Sequence, residues 1–119
     1  MKKTLVIGAS LKEVRYSNIA IKKLRSFEHP VLAIGLRKGQ IEDVNIETEM
    51  VPFEGVNTVS LYLNPKRQES YYDYIISLKP ERVIFNPGTE NPNFYNLLKN
   101  EGIAYEEACT LVLLSTRQY

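Results

Sequence analysis

Residues 4–17 read TLVIGASLKEVRYS, an apolar run that Gly8 closes and a polar loop that follows it. The run Leu5-Val6-Ile7 is rich in β-branched side chains and has no polar interruption, which is typical of a strand buried on both faces. Apolar residues at helical spacing follow the loop, so the stretch predicts a strand, a long turn and a helix capped by Ser17 or Asn18.

The same alternation continues to the end of the chain. Further strands are predicted over 31–34, 57–63, 82–85 and 103–105, with a short extended piece over 44–50. Helices are predicted after Pro65, from a cap at Asn91 with Phe94, Leu97 and Leu98 facing inward, and over 108–115. Strands that alternate with helices pair in parallel through right-handed crossovers. We therefore predict one Rossmann-like α/β domain over residues 1–119, a three-layer α/β/α arrangement with a mostly parallel sheet of about five strands.

Composition narrows the classes of protein to which the chain can belong. The 119 residues are 44% hydrophobic and 24% charged, as in ordinary globular domains. A net charge of +1 argues against a general nucleic-acid or membrane surface, so any charge-driven binding is local. The single cysteine excludes an internal disulfide, and no signal peptide is recognisable. We expect a cytoplasmic protein.

In parallel sheets, ligands bind beyond the carboxyl ends of the strands. Turn and polar residues at these ends are therefore the candidate binding residues. They are Gly8, Ala9, Ser10, Arg15, Ser17, Asn18, Gly35, Arg37, Lys38, Asn64, Pro65, Asn86, Pro87 and Gly88.

The first turn carries the strongest of these signals. A dinucleotide fingerprint requires glycine at its first, third and sixth positions, where this chain has Gly8, Ser10 and Glu13. Ordinary NAD binding is therefore disfavoured. Arg15 and Ser17 stand just before the predicted helix, and a guanidinium, a hydroxyl and helix amides together cradle a phosphate. A plain turn with a solvated arginine fits the same residues equally well.

Two later turns also contain candidate binding residues. Arg37 and Lys38 have the wrong charge for the ribose of NAD but suit NADP or the 3′-phosphate of coenzyme A. An exposed basic turn is the alternative. The stretch Asn86-Pro87-Gly88 could hold a pantetheine or a pyrophosphate through amide and backbone groups, or could simply shape the entry to the next helix.

No catalytic constellation is recognisable. His29 and Cys109 are the only residues of their types and lie far apart in the chain, so neither a triad nor a zinc site can be argued. Glu106 and Glu107 next to Cys109 disfavour a thiolate, and we expect this cysteine to pack rather than react.

Together these segments resemble the small bacterial CoA-binding proteins, stand-alone relatives of the N-terminal domain of the succinyl-CoA synthetase α subunit. The resemblance covers nearly the whole chain and rests on Gly8-Ala9-Ser10, Arg15, Ser17, Asn86-Pro87-Gly88, Asn91 and Cys109. It implies that Ser10, Arg15 and Ser17 face phosphates, with Arg37 or Lys38 near a phosphorylated ribose. The chain departs from the family at Gly35-Leu36-Arg37, where the family usually has Asn-Pro-Lys.

The leading hypothesis is a non-catalytic module that binds coenzyme A or an acyl-CoA as its small-molecule nucleotide ligand. A nicotinamide-nucleotide-binding enzyme or subunit is one alternative, and an interaction module that has lost its ligand is another. A homo-oligomer or a partner protein is compatible with each of these, whereas nucleic acid and membrane are not expected partners.

Overall fold

A computed structural model of the protein describes every residue from Met1 to Tyr119. The strands, β1 to β7 in chain order, span Thr4–Ala9, Val31–Gly35, Gly39–Ile41, Val44–Glu47, Thr58–Leu61, Arg82–Phe85 and Ala104–Glu107. The helices, α1 to α5, span Tyr16–Ser26, Pro65–Gln68, Tyr72–Leu78, Pro92–Asn100 and Thr110–Ser115. A 3₁₀ turn over Glu69–Tyr71 joins α2 to α3. None of the helices combines the length and apolar character that a membrane crossing requires.

All seven strands form one sheet in the order β3-β4-β2-β1-β5-β6-β7. Every neighbouring pair is parallel except the β3–β4 hairpin. The predicted α/β class and the mostly parallel sheet are confirmed, but the expected count of about five strands is wrong. The two additional strands are β3 and β4, which form the hairpin at one edge.

Strand β3 and the turn of the hairpin have no recognisable signal in the sequence. Strand β3 contains only Gly39, Gln40 and Ile41, too few residues to show an alternating pattern. The turn that follows lacks the Asn-Gly or Asp-Gly pair that usually marks a two-residue hairpin. Glu42 instead adopts a left-handed conformation, with φ of 55°. The predicted extended piece over 44–50 coincides with β4 only as far as Glu47.

Helices cover both faces of the sheet, as predicted. On one face, Val6 of β1 packs in a core that includes Ile21 and Leu24 of α1 and Leu114 of α5. On the other face, its neighbours in β1 pack in a larger core to which α3 and α4 contribute Ile75, Phe94, Tyr95 and Leu98. Consecutive strand residues point to opposite faces, so the apolar run of β1 supplies both cores.

Helix starts differ in part from the prediction. Helix α1 begins at Tyr16 with Arg15 as its N-cap, so Ser17 and Asn18 are first-turn residues and the expectation that one of them caps the helix is wrong. The cap of α4 is confirmed, because Asn91 accepts a hydrogen bond from the Phe94 amide at 3.3 Å. One predicted core residue of α4 is not buried: Leu97 is 38% exposed, and Tyr95 takes its place.

The topology creates a crevice at the carboxyl end of the sheet. From β1 the chain passes to β2 and on to β4, then returns to β5 on the other side of β1. The loops that follow β1 and β5 therefore diverge, which leaves a gap between them. Doubly wound sheets bind their ligands at such reversal points.

Candidate functional site

A cleft of about 700 Å³ occupies this reversal point. Its walls are the loops that follow β1, β2, β5 and β6, together with the start of α1. The volume lies within the range of roughly 300–1,000 Å³ that is usual for small-molecule sites. The crevice is therefore large enough for a nucleotide-sized ligand.

Eight of the predicted site residues line the cleft. They are Gly8, Ser10, Arg15, Ser17, Arg37, Asn64, Pro87 and Gly88. The other six, which do not line it, are Ala9, Asn18, Gly35, Lys38, Pro65 and Asn86. Eight further residues line the cleft and were not predicted from the sequence, namely Leu11, Lys12, Tyr16, Leu36, Tyr62, Leu63, Arg67 and Thr89.

The start of helix α1 presents free amide groups to the cleft. The N-cap, Arg15, makes no side-chain capping hydrogen bond, and the first turn contains no acidic residue. The first amides of a helix have no partner within the helix, and the helix dipole makes this end attractive to anions. Ser17, which is 3% exposed, lies in this first turn and lines the cleft. This end of α1 has the features of a phosphate site.

The loop between β1 and α1 is fixed by local hydrogen bonds. The Ser10 hydroxyl accepts a bond from the Lys12 amide at 3.1 Å. The Ser10 carbonyl accepts one from Asn18 Nδ2 at 2.9 Å, so the buried Asn18 ties the loop to the helix. The Asn18 Oδ1 atom is buried and has no partner. Asn18 therefore positions Ser10 rather than lining the cleft itself.

Two glycines allow the strand ends to meet closely beneath the cleft. Gly8 has a φ of 98°, and a Cβ there would lie 3.1 Å from the Tyr62 carbonyl carbon. A Cβ on Gly35 would lie only 2.3 Å from the Ala9 carbonyl oxygen. Strands β1 and β2 shift register at this point, where Ala9 pairs with Gly35. Gly35 and Ala9 thus set the contact between the strands.

Asn86 lies beneath the cleft as a buried connector. Its Nδ2 donates to the Ser60 hydroxyl and to the Leu61 carbonyl, both at 2.9 Å, and its Oδ1 accepts from the Thr110 amide at 2.8 Å. The side chain is 2% exposed. These bonds join β5, β6 and α5, so the structure places the Asn86 amide in the interior, whereas the neighbouring Pro87 and Gly88 reach the cleft.

Gln68 builds the wall of the cleft opposite α1. Its side chain is fully buried and donates to the carbonyls of Leu63 and Thr89, both at 2.8 Å. In turn its Oε1 accepts from Asn91 Nδ2 at 2.9 Å. The loops after β5 and β6 are therefore held together by buried hydrogen bonds. Asn64, a predicted site residue, caps the short helix α2 by accepting from the Arg67 amide at 2.9 Å.

The cleft is strongly positive. Lys12, Arg15, Arg37 and Arg67 line it, and no aspartate or glutamate does. None of the four takes part in the ion pairs of the protein, which join Lys22 to Glu13, Arg25 to Asp43 and Arg82 to Glu106. In a chain with a net charge of +1, this is a local concentration of uncompensated charge. Such clefts attract and hold anions.

Aromatic and aliphatic side chains complete the lining. Leu36 is 79% and Tyr16 72% exposed at the rim, and Leu11 lies beside them. Tyr62 lies deeper, and burial raises its pKa to about 12, so its phenol stays protonated at neutral pH. Apolar surface next to cations suits a ligand that joins phosphates to a flat or aliphatic body.

Some of the missed lining residues had a signal in the sequence. Lys12 lies inside the loop already chosen, and Arg67 stands three residues after Asn64 at a strand end. Both are cations next to predicted site residues at a strand end, so charge alone could have added them. Leu63 and Tyr62 belong to a predicted strand, and only the actual end of β5 at Leu61 shows that they turn toward the cleft.

The doubly wound sheet and the cleft at its reversal point define a Rossmann-like α/β domain. The model of the CoA binding domain family matches residues 2–115. The chain therefore belongs to this family, as the sequence resemblance implied.

Several solved structures are similar to this chain. An uncharacterized protein of 46% identity superposes with a TM-score of 0.97, and the match covers 100% of this chain and 98% of that one. A Thermus thermophilus protein of 18% identity superposes with a TM-score of 0.87, and the match covers 99% of this chain and 90% of that one. A hypothetical protein from Pyrococcus horikoshii of 22% identity superposes with a TM-score of 0.86, and the match covers 98% of this chain and 83% of that one. The last two show the fold alone. No curated protein matches the chain.

Proposed function

We propose that the protein binds coenzyme A or an acyl-CoA in this cleft and does not itself catalyse a reaction. The observation that carries the proposal is the set of four cations without carboxylate partners at the reversal point of the sheet. Membership of the CoA binding domain family supports the same ligand class. Family and electrostatics are independent arguments, and both favour an anionic nucleotide.

The residues present fit the phosphates of coenzyme A. The first amides of α1, with Ser10, Ser17 and the Arg15 guanidinium, would hold the pyrophosphate. Arg37, which follows β2, would meet the 3′-phosphate of the ribose. Lys38, the other candidate for that role, does not line the cleft, so the proposal assigns the contact to Arg37.

The lining also supports a binding role rather than a catalytic one. It contains no histidine, aspartate or glutamate, the usual general bases, and no cysteine, so the lining serines Ser10 and Ser17 have no such base beside them in the lining. The Tyr62 phenol, with a pKa of about 12, is a poor base at neutral pH. Cys109 is half-buried at the start of α5 and does not line the cleft.

Calorimetric titration tests the proposal. Coenzyme A, dephospho-coenzyme A, NAD, NADP and ATP are titrated separately into the purified protein at low salt. We expect coenzyme A to bind more tightly than the other four. Tighter binding of NADP or NAD would replace the proposal with the nicotinamide-nucleotide alternative. If no nucleotide produces heat or raises the melting temperature at millimolar concentration, the protein is an interaction module that has kept the fold without the ligand.

A further inference from the structure

The four cations of the cleft are distributed unevenly across the sheet. Lys12 and Arg15 lie in the loop after β1, and Arg37 follows the neighbouring strand β2. Arg67 stands apart from them in α2, which follows β5 on the other side of β1. Adjacent strands are about 4.8 Å apart, so the starts of the loops after β2 and β5 are separated by roughly 10 Å. Arg67 is therefore on the opposite side of the cleft from Arg37 and follows the strand next to the one whose loop carries Lys12 and Arg15.

The wall that carries Arg67 is held by hydrogen bonds, and the other residues of this wall that line the cleft are uncharged. Its neighbour Gln68 is buried and joins the loops after β5 and β6, and the Arg67 amide is fixed by Asn64. The other lining residues here are Leu63, Pro87, Gly88 and Thr89, none of which is charged. Glu90 follows this wall, but its carboxylate accepts from the Gly88 amide at 2.9 Å and forms no ion pair. The Arg67 guanidinium thus has no acidic partner within the protein.

This step rests on the proposed function. In coenzyme A the pyrophosphate links the phosphorylated ribose to the pantetheine arm. If the ribose phosphate meets Arg37 and the pyrophosphate meets α1, the arm must leave toward β5 and β6. Its thiol, or the acyl group on that thiol, then reaches the wall that carries Arg67. In this placement the phosphates lie beside Lys12, Arg15 and Arg37, so Arg67 is the cation on the side of the arm.

We propose that the protein selects acyl-CoA ligands whose acyl chain ends in a carboxylate and that Arg67 binds this carboxylate. A guanidinium is planar and offers paired N–H groups that match a carboxylate in two parallel hydrogen bonds. A neutral wall weakens competition from internal acids and leaves the charge available to the ligand. A simple fatty acyl chain would leave the same guanidinium without a partner.

Affinity for matched pairs of ligands tests this inference. Malonyl-CoA and isovaleryl-CoA have acyl groups of the same shape, and only the first carries a terminal charge. Glutaryl-CoA and 5-methylhexanoyl-CoA form a longer pair of the same kind. All four, and coenzyme A itself, are titrated into the native protein, Arg67→Gln, Arg67→Lys and the control Lys66→Gln. Lys66 is an exposed cation in the same helix and does not line the cleft.

We expect at least one acidic member to bind the native protein about tenfold more tightly than its neutral partner. Arg67→Gln is expected to abolish the preference, with a smaller loss for coenzyme A itself because the cleft becomes less positive. Arg67→Lys is expected to keep part of the preference, and Lys66→Gln all of it. Equal affinity within both pairs overturns the inference, and so does an equal loss for every ligand in Arg67→Gln, which would make Arg67 a phosphate contact. If coenzyme A itself does not bind, the proposed function fails as well, and this outcome is distinguishable from the other two.

Discussion

The positive side chains at the two ends of the sheet differ in whether they have partners within the protein. At the amino end, Arg82 donates to Thr58 Oγ1 at 3.0 Å, to Glu106 at 3.3 Å and to the Tyr119 carbonyl oxygen at 2.9 Å. Its guanidinium also lies 4.4 Å from the centre of the Tyr119 ring. At the carboxyl end, the four cations of the cleft have no acidic partner. At the amino end Arg82 links secondary-structure elements, whereas the cations at the carboxyl end form no ion pair.

The difference separates a structural charge from a binding charge. A cation that is largely buried and has several partners contributes to the stability of the fold, and its removal leaves those partners unsatisfied. Like charges clustered without partners repel one another and oppose compaction. An anionic ligand relieves that repulsion. We therefore expect substitutions at the amino end to reduce stability and substitutions at the carboxyl end to reduce affinity.

Arg82→Met has the largest expected effect, and the effect is on stability. The variant removes three hydrogen bonds and the contact with the Tyr119 ring from a side chain that is only 14% exposed. We expect the free energy of unfolding to fall by about 2–3 kcal/mol, measured by urea denaturation. The folded variant is expected to bind coenzyme A as the native protein does. A loss below about 0.5 kcal/mol would show that these contacts do not hold the amino end together.

Arg15→Ala tests the opposite end and is expected to change binding instead. Loss of one charge-assisted hydrogen bond to a phosphate costs about 1.5–3 kcal/mol, or about tenfold to a hundredfold in affinity for coenzyme A. Stability is expected to stay the same or to rise slightly, because Arg15 is exposed and its removal lowers the repulsion in the cleft. Lys22→Ala is the control, because Lys22 is a cation of α1 that pairs with Glu13 outside the cleft. Unchanged affinity in Arg15→Ala would remove Arg15 from the site.

Arg37 and Lys38 provide a sharper comparison, because only the first lines the cleft. We expect the native protein to prefer coenzyme A over dephospho-coenzyme A by about tenfold, the equivalent of 1.4 kcal/mol. Arg37→Ala is expected to abolish this preference, and Lys38→Ala to keep it. Calorimetry at increasing salt checks the cause, because an exposed phosphate contact weakens as the ionic strength rises. If the native protein binds coenzyme A and dephospho-coenzyme A equally well, Arg37 is a solvated surface residue that does not contact the 3′-phosphate.

Most of the fold could be predicted because its signals are local. The apolar run of β1, its closing Gly8 and the cap at Asn91 each lie within a few residues. The β3–β4 hairpin could not be predicted, since β3 is short and its turn depends on Glu42 in a left-handed conformation rather than on a glycine. The hairpin joins the sheet through the pairing of β4 with β2, which is a tertiary contact.

The location of the candidate site could be predicted from the sequence, but not all of the side chains that line it. Loops at the carboxyl end of a parallel sheet converge whatever their sequence, and eight of the predicted residues do line the cleft. Asn86 illustrates the limit. Its residue type suits ligand binding, but its amide is committed to Ser60, Leu61 and Thr110, partners that only the folded chain brings together. The residue type at a strand end does not show whether an asparagine amide binds a ligand or forms hydrogen bonds within the fold.

The protonation of His29 has the smallest expected effect, and it tests whether the two ends of the sheet also differ in their response to pH. His29 lies at the amino end, where its Nδ1 accepts from the Lys2 amide at 3.0 Å and its ring lies 4.9 Å from that of Tyr119. Burial, and then the positive charges of the N-terminus, Lys2 and Arg82, lower the pKa of His29. The unfolded chain therefore binds the proton more readily, so stability is complete above the unfolded value of about 6.5 and is lost as the pH falls through it.

Melting curves between pH 7.5 and 5.5 measure this loss, because the chain has no other histidine. His29→Asn keeps an acceptor for the Lys2 amide but cannot take up a proton in this range. We expect the native melting temperature to fall by about 1–2 °C more than that of the variant, since the half-exposed ring is screened by solvent. Parallel curves for the two proteins would mean that the cations around His29 do not disfavour its protonation. The amino end would then respond to pH no differently from the open cleft, whose lining contains no histidine, aspartate or glutamate.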